Sequence, residues 1–372
     1  MKTTVLVEGF YGRNNLGDDF ILRAILDTIH KSETIKFVKI MVSDTHYAGY
    51  NELFRMYPRL HFTLVSNTGN SIKQIFERIR ILQSIDYWII GGGGVFPKEK
   101  IASLIKRLLY IRIARIKNVK TAMYGIEINP VYKKRNKYIW KQIIANCDFI
   151  YTRNQSSMNF LNSVYVKKNK AYSDVTFGVC TQEEIEFNEI SLNQKLAVSP
   201  KSFYLWSLAM PWTSKELDGN HYKNRYDSFV SQIADVINTH DKVTHVFLPF
   251  YYDNDIVFIN DITKKISESI KYIICDHKKS LKLGEKRKLF FYADRCICMR
   301  YHSVLFALYY AKQVYAISYS PKTTSMLKEI GLVNSYVEFG IRPTEFFYSE
   351  FDLDKERFIE ILENKKMMHL MN

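Results

Sequence analysis

Apolar and polar positions along the chain follow two spacings that predict different elements. Short apolar runs rich in β-branched residues predict strands, and longer stretches with apolar residues three or four positions apart predict helices. In the first half, strands are predicted at Thr3–Val7, Phe37–Val42, His61–Val65, Tyr87–Ile90, Lys120–Tyr124 and Asp148–Thr152. Helices are predicted at Asp18–His30, Tyr47–Met56, Ser71–Leu82, Lys98–Lys117 and Tyr132–Ala145. Strand and helix therefore alternate through this half.

The alternation breaks between Gly178 and Leu192, where the acidic and polar stretch Gln182–Glu186 predicts a linker, and then it resumes. Strands are predicted at Leu196–Pro200, Val243–Leu248, Lys271–Cys275, Arg295–Met299 and Val314–Ser318. Helices are predicted at Tyr222–His240, Ile256–Ser269 and Lys282–Tyr292, with another starting near His302 and an amphipathic one at Phe351–Leu370.

Repeated strand–helix units predict mainly parallel sheets covered by helices on both faces. A length of 372 residues favours two domains. We therefore predict two open, doubly wound α/β domains facing a cleft, which is the GT-B arrangement. The predicted domains are residues 1–185 and 186–345, and residues 346–372 form a terminal helix that packs back on the first domain.

Charge and cysteine content narrow the class of protein. The net charge of +15 suits a phosphate-rich partner, although it also fits an ordinary solvated basic surface. The five cysteines form no CxxC pair, which indicates reduced thiols in a cytoplasmic protein. No apolar run approaches the ~20 residues of a membrane span. The basic stretch Lys106–Lys120 is either an ordinary covered helix or a peripheral contact with the inner face of an anionic membrane.

Several common sites are not predicted. Gly12 and Gly17 have the spacing of a phosphate-binding P-loop, but Asp18 and Asp19 stand where that loop needs Lys and Ser or Thr. There is no GxGxxG, no GxSxG, and no His, Cys or carboxylate cluster at metal-ligand spacing, so we expect neither cofactor nor metal. Nothing except charge favours nucleic acid, and no nucleic-acid partner is predicted.

Two glycine-rich loops follow predicted strands. In the first, Gly12, Asn15 and Gly17 are expected to bring the backbone close to a substrate, and plain turn chemistry is the alternative for the glycines. Asp18, which follows Gly17, can cap the next helix. The second is Gly91–Gly94. A turn needs one or two glycines, and four in a row are entropically costly. We therefore expect a substrate to lie against the bare backbone of its members Gly92, Gly93 and Gly94.

Cationic side chains lie where two neighbouring strands of the second half end. Arg300 and His302 follow one strand and Lys322 follows the next. The carboxyl edge of a parallel sheet is where ligands bind, and helix starts there attract anions. A core histidine is the alternative for His302, but the neighbouring cations favour a site for a small phosphorylated or carboxylated molecule.

In the first half, Arg153 also ends a strand, where it either binds an anion or pairs with a nearby acid. Asp174, Asp253 and Asp255 are weaker candidates, since each could cap a helix.

Six segments carry these motifs: Gly9–Asp18 (GFYGRNNLGD), Ile90–Phe96 (IGGGGVF), Tyr124–Pro130 (YGIEINP), Tyr151–Arg153 (YTR), Arg300–Ala307 (RYHSVLFA) and Ser318–Lys322 (SYSPK). Their order and spacing resemble the polysaccharide pyruvyl transferases. The resemblance implies a GT-B-like fold and transfer of pyruvate from phosphoenolpyruvate to two hydroxyls of a sugar, which forms a ketal and releases phosphate. It places Arg153, His302 and Lys322 at the phosphoenolpyruvate site, with His302 as general acid.

The remaining roles are our own assignments. Asp18 is the expected general base, and Arg300 and Tyr319 are expected to contact substrate beside the glycine loops. The acceptor is expected to be a nucleotide- or lipid-linked saccharide of a cell-surface polysaccharide. The chain departs from the family pattern at Asn154, Lys201 and Ser320, where members usually carry Asp, Arg and Asp.

Two other functions are compatible with the same residues. A GT-B glycosyltransferase would use a nucleotide sugar, and it would need a ribose-binding acid where this chain has cations. A basic protein without activity would bind a membrane or an acidic glycan. The cationic motif favours a compact anionic donor over both.

Overall fold

The computed structural model describes residues 3–45, 49–66, 72–93, 100–128, 133–153, 155–165, 170–172, 203–211, 220–275, 283–310, 313–329 and 336–338. By contacts, the described chain divides into two compact units. The first contains residues 3–13 and 18–172, and the second contains Asn14–Gly17 and residues 203–338. The expected linker, the boundary at residues 185 and 186, and the C-terminal helix lie outside the described residues.

The first unit is built on a seven-stranded parallel sheet. Its strands are β1 (Thr3–Tyr11), β2 (Ile35–Val42), β3 (His61–Ser66), β4 (Tyr87–Gly93), β5 (Lys120–Ile126), β6 (Phe149–Thr152) and β7 (Lys170–Tyr172). Its helices are α1 (Leu16–Lys31), α2 (Gly49–Arg55), α3 (Ile72–Leu82), α4 (Ile101–Ile116), α5 (Lys134–Asn146) and α6 (Gln155–Val164). The strand order is β3-β2-β1-β4-β5-β6-β7.

Burial explains why these segments adopt these structures. In β1, Val5, Leu6 and Val7 are all fully buried, as expected for a strand covered on both faces. In α1, the apolar residues Phe20 and Ile21 are buried, and so are Leu22 and Leu26, so this helix is buried on more than one face.

The second unit repeats the plan with six parallel strands. They are β8 (Phe203–Ser207), β9 (Thr244–Phe247), β10 (Tyr272–Ile274), β11 (Arg295–Cys298), β12 (Gln313–Ser318) and β13 (Tyr336–Glu338). The helices are α7 (Asn220–Asn238), α8 (Tyr252–Thr263), α9 (Leu283–Tyr292), α10 (Tyr301–Tyr310) and α11 (Pro321–Glu329). The strand order is β10-β9-β8-β11-β12-β13.

In both sheets, the order in which consecutive strands are added reverses at an equivalent place. The first three strands of each unit are laid outward on one side, and the later strands on the other. The switch points therefore lie between β1 and β4 in the first unit and between β8 and β11 in the second. In open α/β sheets, ligands bind beside the carboxyl ends of the strands at such a point.

The predicted class, two parallel-sheet α/β domains, is confirmed, and the differences are local. Strand β1 continues through Gly9 to Tyr11, and β4 includes Gly91–Gly93, so these glycines are strand residues where a loop was expected. Helix α6 and strands β7, β8 and β13 were not predicted, and the strand expected at Leu196–Pro200 lies outside the described residues. Within the part of the chain that the structure describes, no helix is long and apolar enough to cross a membrane.

Candidate functional site

The carboxyl ends of β11 and β12 bring the second unit's cationic motif together. The two strands pair in parallel, with Cys298 opposite Ala316, so the turns that follow them start at the same sheet edge. Arg300 lies in the first turn and Tyr319 in the second. A guanidinium nitrogen of Arg300 donates to the Tyr319 hydroxyl at 3.0 Å. This hydrogen bond joins the two turns that carry the predicted site.

A buried carboxylate holds the other side of Arg300. Two guanidinium nitrogens of Arg300 donate to the two carboxylate oxygens of Asp255, and the bond from Nε to Oδ2 is 3.2 Å long. Asp255 also accepts the backbone N–H of Tyr251 at 2.8 Å. Burial alone would lower the pKa of Arg300, but the Asp255 carboxylate raises it above its ordinary value. Arg300 is therefore permanently charged and fixed in place, which suits orientation of the turns.

His302 and Lys322 share one aromatic neighbour. Both are the second residue of their helices, α10 and α11. The Tyr301 ring lies edge-on to the His302 ring at 5.2 Å between centroids, and the Lys322 ammonium is 4.8 Å from the Tyr301 ring centroid. The structure therefore places both predicted residues against the same tyrosine.

Both helices begin with backbone N–H groups that have no partner one turn earlier, as at any helix start. Ser320 precedes Pro321, the first residue of α11, and its carbonyl accepts the N–H of Thr323 at 3.1 Å. Serine before proline is a favourable helix start. The departure at Ser320 therefore preserves the local geometry that positions Lys322.

The segment Asn14–Gly17 places a glycine against His302 within the second unit. A Cβ added to Gly17 would overlap the His302 ring at Nδ1, so only glycine fits there. The segment is held by two backbone hydrogen bonds, from Leu16 N–H to Phe250 at 2.7 Å and from Tyr252 N–H to Asn14 at 3.1 Å. Gly17 thus lies close to the candidate general acid, and its expected contact with a substrate stays a prediction.

The cap of α1 differs from the expectation for Asp18. Asn15 immediately precedes α1, and its side-chain oxygen accepts the N–H of Gly17, in the first turn of the helix, at 3.1 Å. Asn15 is therefore the capping residue. Asp18 lies in that first turn, where its negative charge favours the helix dipole. The role of Asp18 as a general base stays a prediction.

The glycines of the first unit have structural reasons of their own. Gly12 has φ +75°, a left-handed conformation, and a Cβ there would lie 3.0 Å from the Asp44 backbone nitrogen. Gly92 has φ +76°, and its Cβ would lie 2.6 Å from Cγ2 of Ile21 in α1. Close packing of α1 on β4 thus explains Gly92 without a ligand. Substrate contacts of Gly92 and Gly93 stay predictions, and Gly94 lies outside the described residues.

Arg153 follows β6 in the first unit, and its side chain is almost completely buried. It lies 3.5 Å from the Glu127 carboxylate, and its backbone N–H donates to Ile126 at 2.8 Å. The pairing expected as the alternative for Arg153 is therefore present, although it is buried and not on the surface. Its contact with phosphoenolpyruvate stays a prediction.

Sequence reasoning undervalued two residues. Asp255 was one of three weak carboxylate candidates, yet it is fully buried and binds Arg300. Tyr301 was not predicted to be part of the site, although it lies between Arg300 and His302 in the sequence. The available signal was position, since Asp255 lies near the start of α8 and Tyr301 begins α10. Asp174 lies outside the described residues, and those described contain no cluster suited to a metal ion.

Similarity to solved structures supports the fold. An S. aureus MnaA protein solved with UDP has a TM-score of 0.56 and 11% identity, over 98% of this chain and 88% of that one. A Methanocaldococcus jannaschii UDP-GlcNAc 2-epimerase in complex with UDP-GlcNAc and UDP has a TM-score of 0.55 and 15% identity, over 98% of this chain and 94% of that one. A putative UDP-N-acetylglucosamine 2-epimerase from Listeria monocytogenes has a TM-score of 0.55 and 10% identity, over 98% of this chain and 88% of that one. The fold is GT-B-like.

Comparison of the sequence identifies the family. No curated protein was found that matches the chain. The model of the family described as polysaccharide pyruvyl transferase matches residues 15–321, a range that includes Gly91–Gly94, Arg153, Arg300 and His302 and ends one residue before Lys322. The chain belongs to the polysaccharide pyruvyl transferase family.

Proposed function

We propose that this protein transfers the pyruvyl group of phosphoenolpyruvate to two hydroxyls of one sugar, forming a ketal and releasing phosphate. The observation that carries the proposal is the arrangement of His302 and Lys322 around Tyr301 at two adjacent helix starts. A proton donor and a cation at helix starts suit a small molecule that carries both a carboxylate and a phosphate. Membership of the family supports the same reaction.

Arg300, His302 and Lys322 contribute unequally to neutralising the negative charge of phosphoenolpyruvate. Arg300 is already paired with Asp255, so it orients the turns and contributes little free charge. Lys322, protonated His302 and the N–H groups at the starts of α10 and α11 are the groups that we assign to neutralising the donor. We assign Lys322 to direct binding and Arg300 to positioning. The family resemblance assigns Arg153 to phosphoenolpyruvate as well, and that role stays a prediction.

The chemical steps balance without a cofactor or a metal. The oxygen of the first hydroxyl bonds to C2 of phosphoenolpyruvate while the His302 imidazolium gives its proton to the methylene carbon, which becomes a methyl group. Asp18 takes the hydroxyl proton. Phosphate then leaves with the electron pair of the C2–O bond. The second hydroxyl bonds to C2 and gives its proton to the neutral His302 imidazole, which restores the imidazolium. General acid–base catalysis of this kind contributes about 10²–10⁴-fold.

The proposed acceptor class has support from the fold relatives and the family. Solved proteins of similar fold bind UDP or UDP-GlcNAc, according to their titles. This supports a nucleotide-linked saccharide as acceptor, and a lipid-linked saccharide is the second form of the same class. The product would be a pyruvylated unit of a cell-surface polysaccharide, made in the cytoplasm.

The test is to follow two products in one incubation. Phosphoenolpyruvate is supplied with candidate UDP-linked or lipid-linked saccharides, and free phosphate and a mass gain on the saccharide are measured. We expect both products, and we expect them to persist with EDTA. Release of nucleoside diphosphate from UDP- or GDP-sugars without phosphoenolpyruvate would instead indicate a glycosyltransferase, which the UDP-bound relatives make the second candidate.

A further inference from the structure

The outward surface of helices α3, α4 and α5 carries apolar residues where a covered helix is normally polar. Helix α4 packs between α3 and α5. Three apolar side chains of α4, Ile105, Leu109 and Ile116, are 52%, 47% and 75% exposed. Their spacing of four and seven residues places them along one stripe. Phe76 of α3 and Tyr138 of α5, both over 60% exposed, flank that stripe. We call this surface the α3–α5 face.

Charge on the α3–α5 face has one dominant sign. Helices α4 and α5 each contain four Lys or Arg and no Asp or Glu. Three lysines of α5, Lys134, Lys137 and Lys141, are exposed and share its outer stripe with Tyr138. Exposed Arg112 and Arg115 of α4 hydrogen-bond to side chains of α5 at 3.4 Å and 3.0 Å, which aligns the two helices. The apolar stripe is therefore bordered by cations.

The second unit shows that this is not a general property of the molecule. Its large exposed apolar residues among those described are Val257, Tyr272 and Phe291, which lie on three different elements. Scattered apolar residues of that kind are normal on a surface, whereas a contiguous patch marks an interaction site.

We propose that the α3–α5 face docks on the surface of a bilayer that contains anionic lipids. Such binding combines burial of apolar side chains in the headgroup region with attraction of Lys and Arg to lipid phosphates. A nucleic acid would use the cations but offer nothing to Ile105, Leu109 and Ile116. The proposal does not depend on the transferase reaction, because the face belongs to the first unit and binding needs no substrate.

The test is binding of the full chain to vesicles without substrate. One set contains phosphatidylcholine alone, and the other an equimolar mixture with phosphatidylglycerol. We expect binding to the mixed vesicles only, weakened by salt. Lys134→Glu/Lys137→Glu should weaken it by more than about twentyfold, since each lysine near an anionic surface contributes about fivefold. Ile105→Ser/Leu109→Ser should weaken it by about tenfold or more, through lost apolar burial.

The matched control is Lys242→Glu/Lys271→Glu, which makes the same charge change at exposed positions of the second unit. It should bind the mixed vesicles like the wild type. Equal loss in the control would mean that net charge alone acts, and unchanged binding of the serine variant would exclude apolar contact. If the wild type were a dimer and the serine variant a monomer, the α3–α5 face would bind a second copy of the chain instead of a bilayer. Each of these results, or failure of the wild type to bind, would overturn the proposal.

Discussion

The two sheets share a strand order but use their switch points differently. In the first unit, glycines of β4 lie at the switch point, and α1 packs on them closely enough that Gly91 and Gly92 have no room for a side chain. In the second unit, the equivalent edge carries Arg300, His302 and Asp255. Topology therefore determines where an edge lies, and the residues at that edge determine whether it is used for packing or for ionic chemistry.

The largest expected effect separates activity from folding. His302→Ala should lower turnover by about 10²–10⁴-fold, because it removes the proposed proton donor. Its midpoint of thermal unfolding should stay close to that of the wild type. Steady-state phosphate release and a thermal melt measure the two quantities. His61→Ala, at an exposed position of β3, is the control and should retain full activity. Wild-type turnover by the His302 variant would remove histidine from the mechanism.

Acid should affect the two units in different pH ranges. In the first unit, burial favours the neutral form of Glu8, but the guanidiniums of Arg107 and Arg78 lower its pKa to about 2. In the second, burial lowers the pKa of His245 to about 4, and His245 Nδ1 accepts from Trp206 Nε1 at 2.9 Å. Both shifts oppose protonation in the folded state, so both stabilise the fold above the unfolded-state pKa and are lost as pH falls.

The order of unfolding follows from these values. The His245 contribution is lost between about pH 6.5 and 4, and the Glu8 contribution between about pH 4.5 and 2. Each shift corresponds to about 3 kcal/mol of unfolding free energy. Urea unfolding at several pH values should show the second unit weakening first. His245→Gln should remove the pH dependence of the upper range and leave that of the lower one. Simultaneous loss of both units would contradict the assignment.

Gly91 tests the packing side of the comparison. Gly91→Ala should lower the free energy of unfolding by about 1–3 kcal/mol, since a Cβ there overlaps Cδ1 of buried Ile25. Ile25→Val removes that methyl carbon. The alanine should therefore cost less in the Ile25→Val background, which a double-mutant cycle measures. An equal cost in both backgrounds would mean that another contact fixes the glycine.

Tyr319 should give the smallest effect. Tyr319→Phe removes the hydroxyl that the charged Arg300 donates to, and a hydrogen bond to a charged group contributes about 1.5–3 kcal/mol to stability. The KM for phosphoenolpyruvate should rise severalfold with kcat nearly unchanged, because the effect acts through the position of Arg300. Tyr138→Phe, on an exposed face of the first unit, should change neither constant. A large fall in kcat would give Tyr319 a direct catalytic role.

Periodicity was sufficient for most of the fold, because buried parallel strands and one-sided helices leave clear apolar patterns. It failed where side-chain size decides. The run Gly91–Gly94 looked like a loop, but Gly91 and Gly92 are strand residues at which the bulk of Ile25 and Ile21 of α1 allows only glycine. Strand β13 has three residues, too few to display an alternation.

The candidate site could be predicted as far as local order determines it. Arg300, His302 and Lys322 follow adjacent strands, and parallel pairing brings them together. Partners distant in the sequence could not be predicted. Asp255 precedes Arg300 by 45 positions, and Glu127 precedes Arg153 by 26. No local pattern indicates which carboxylate neutralises which guanidinium.

The most direct test is calorimetric titration of phosphoenolpyruvate into the wild type, Lys322→Ala and Lys328→Ala. Both lysines lie on α11, but Lys328 is in its last turn and exposed. We predict that the wild type and Lys328→Ala bind alike and that Lys322→Ala binds about tenfold to a hundredfold more weakly, the loss expected for one hydrogen bond to a charged group. Equal affinities for all three proteins, or no binding by the wild type, would contradict a donor site in the second unit.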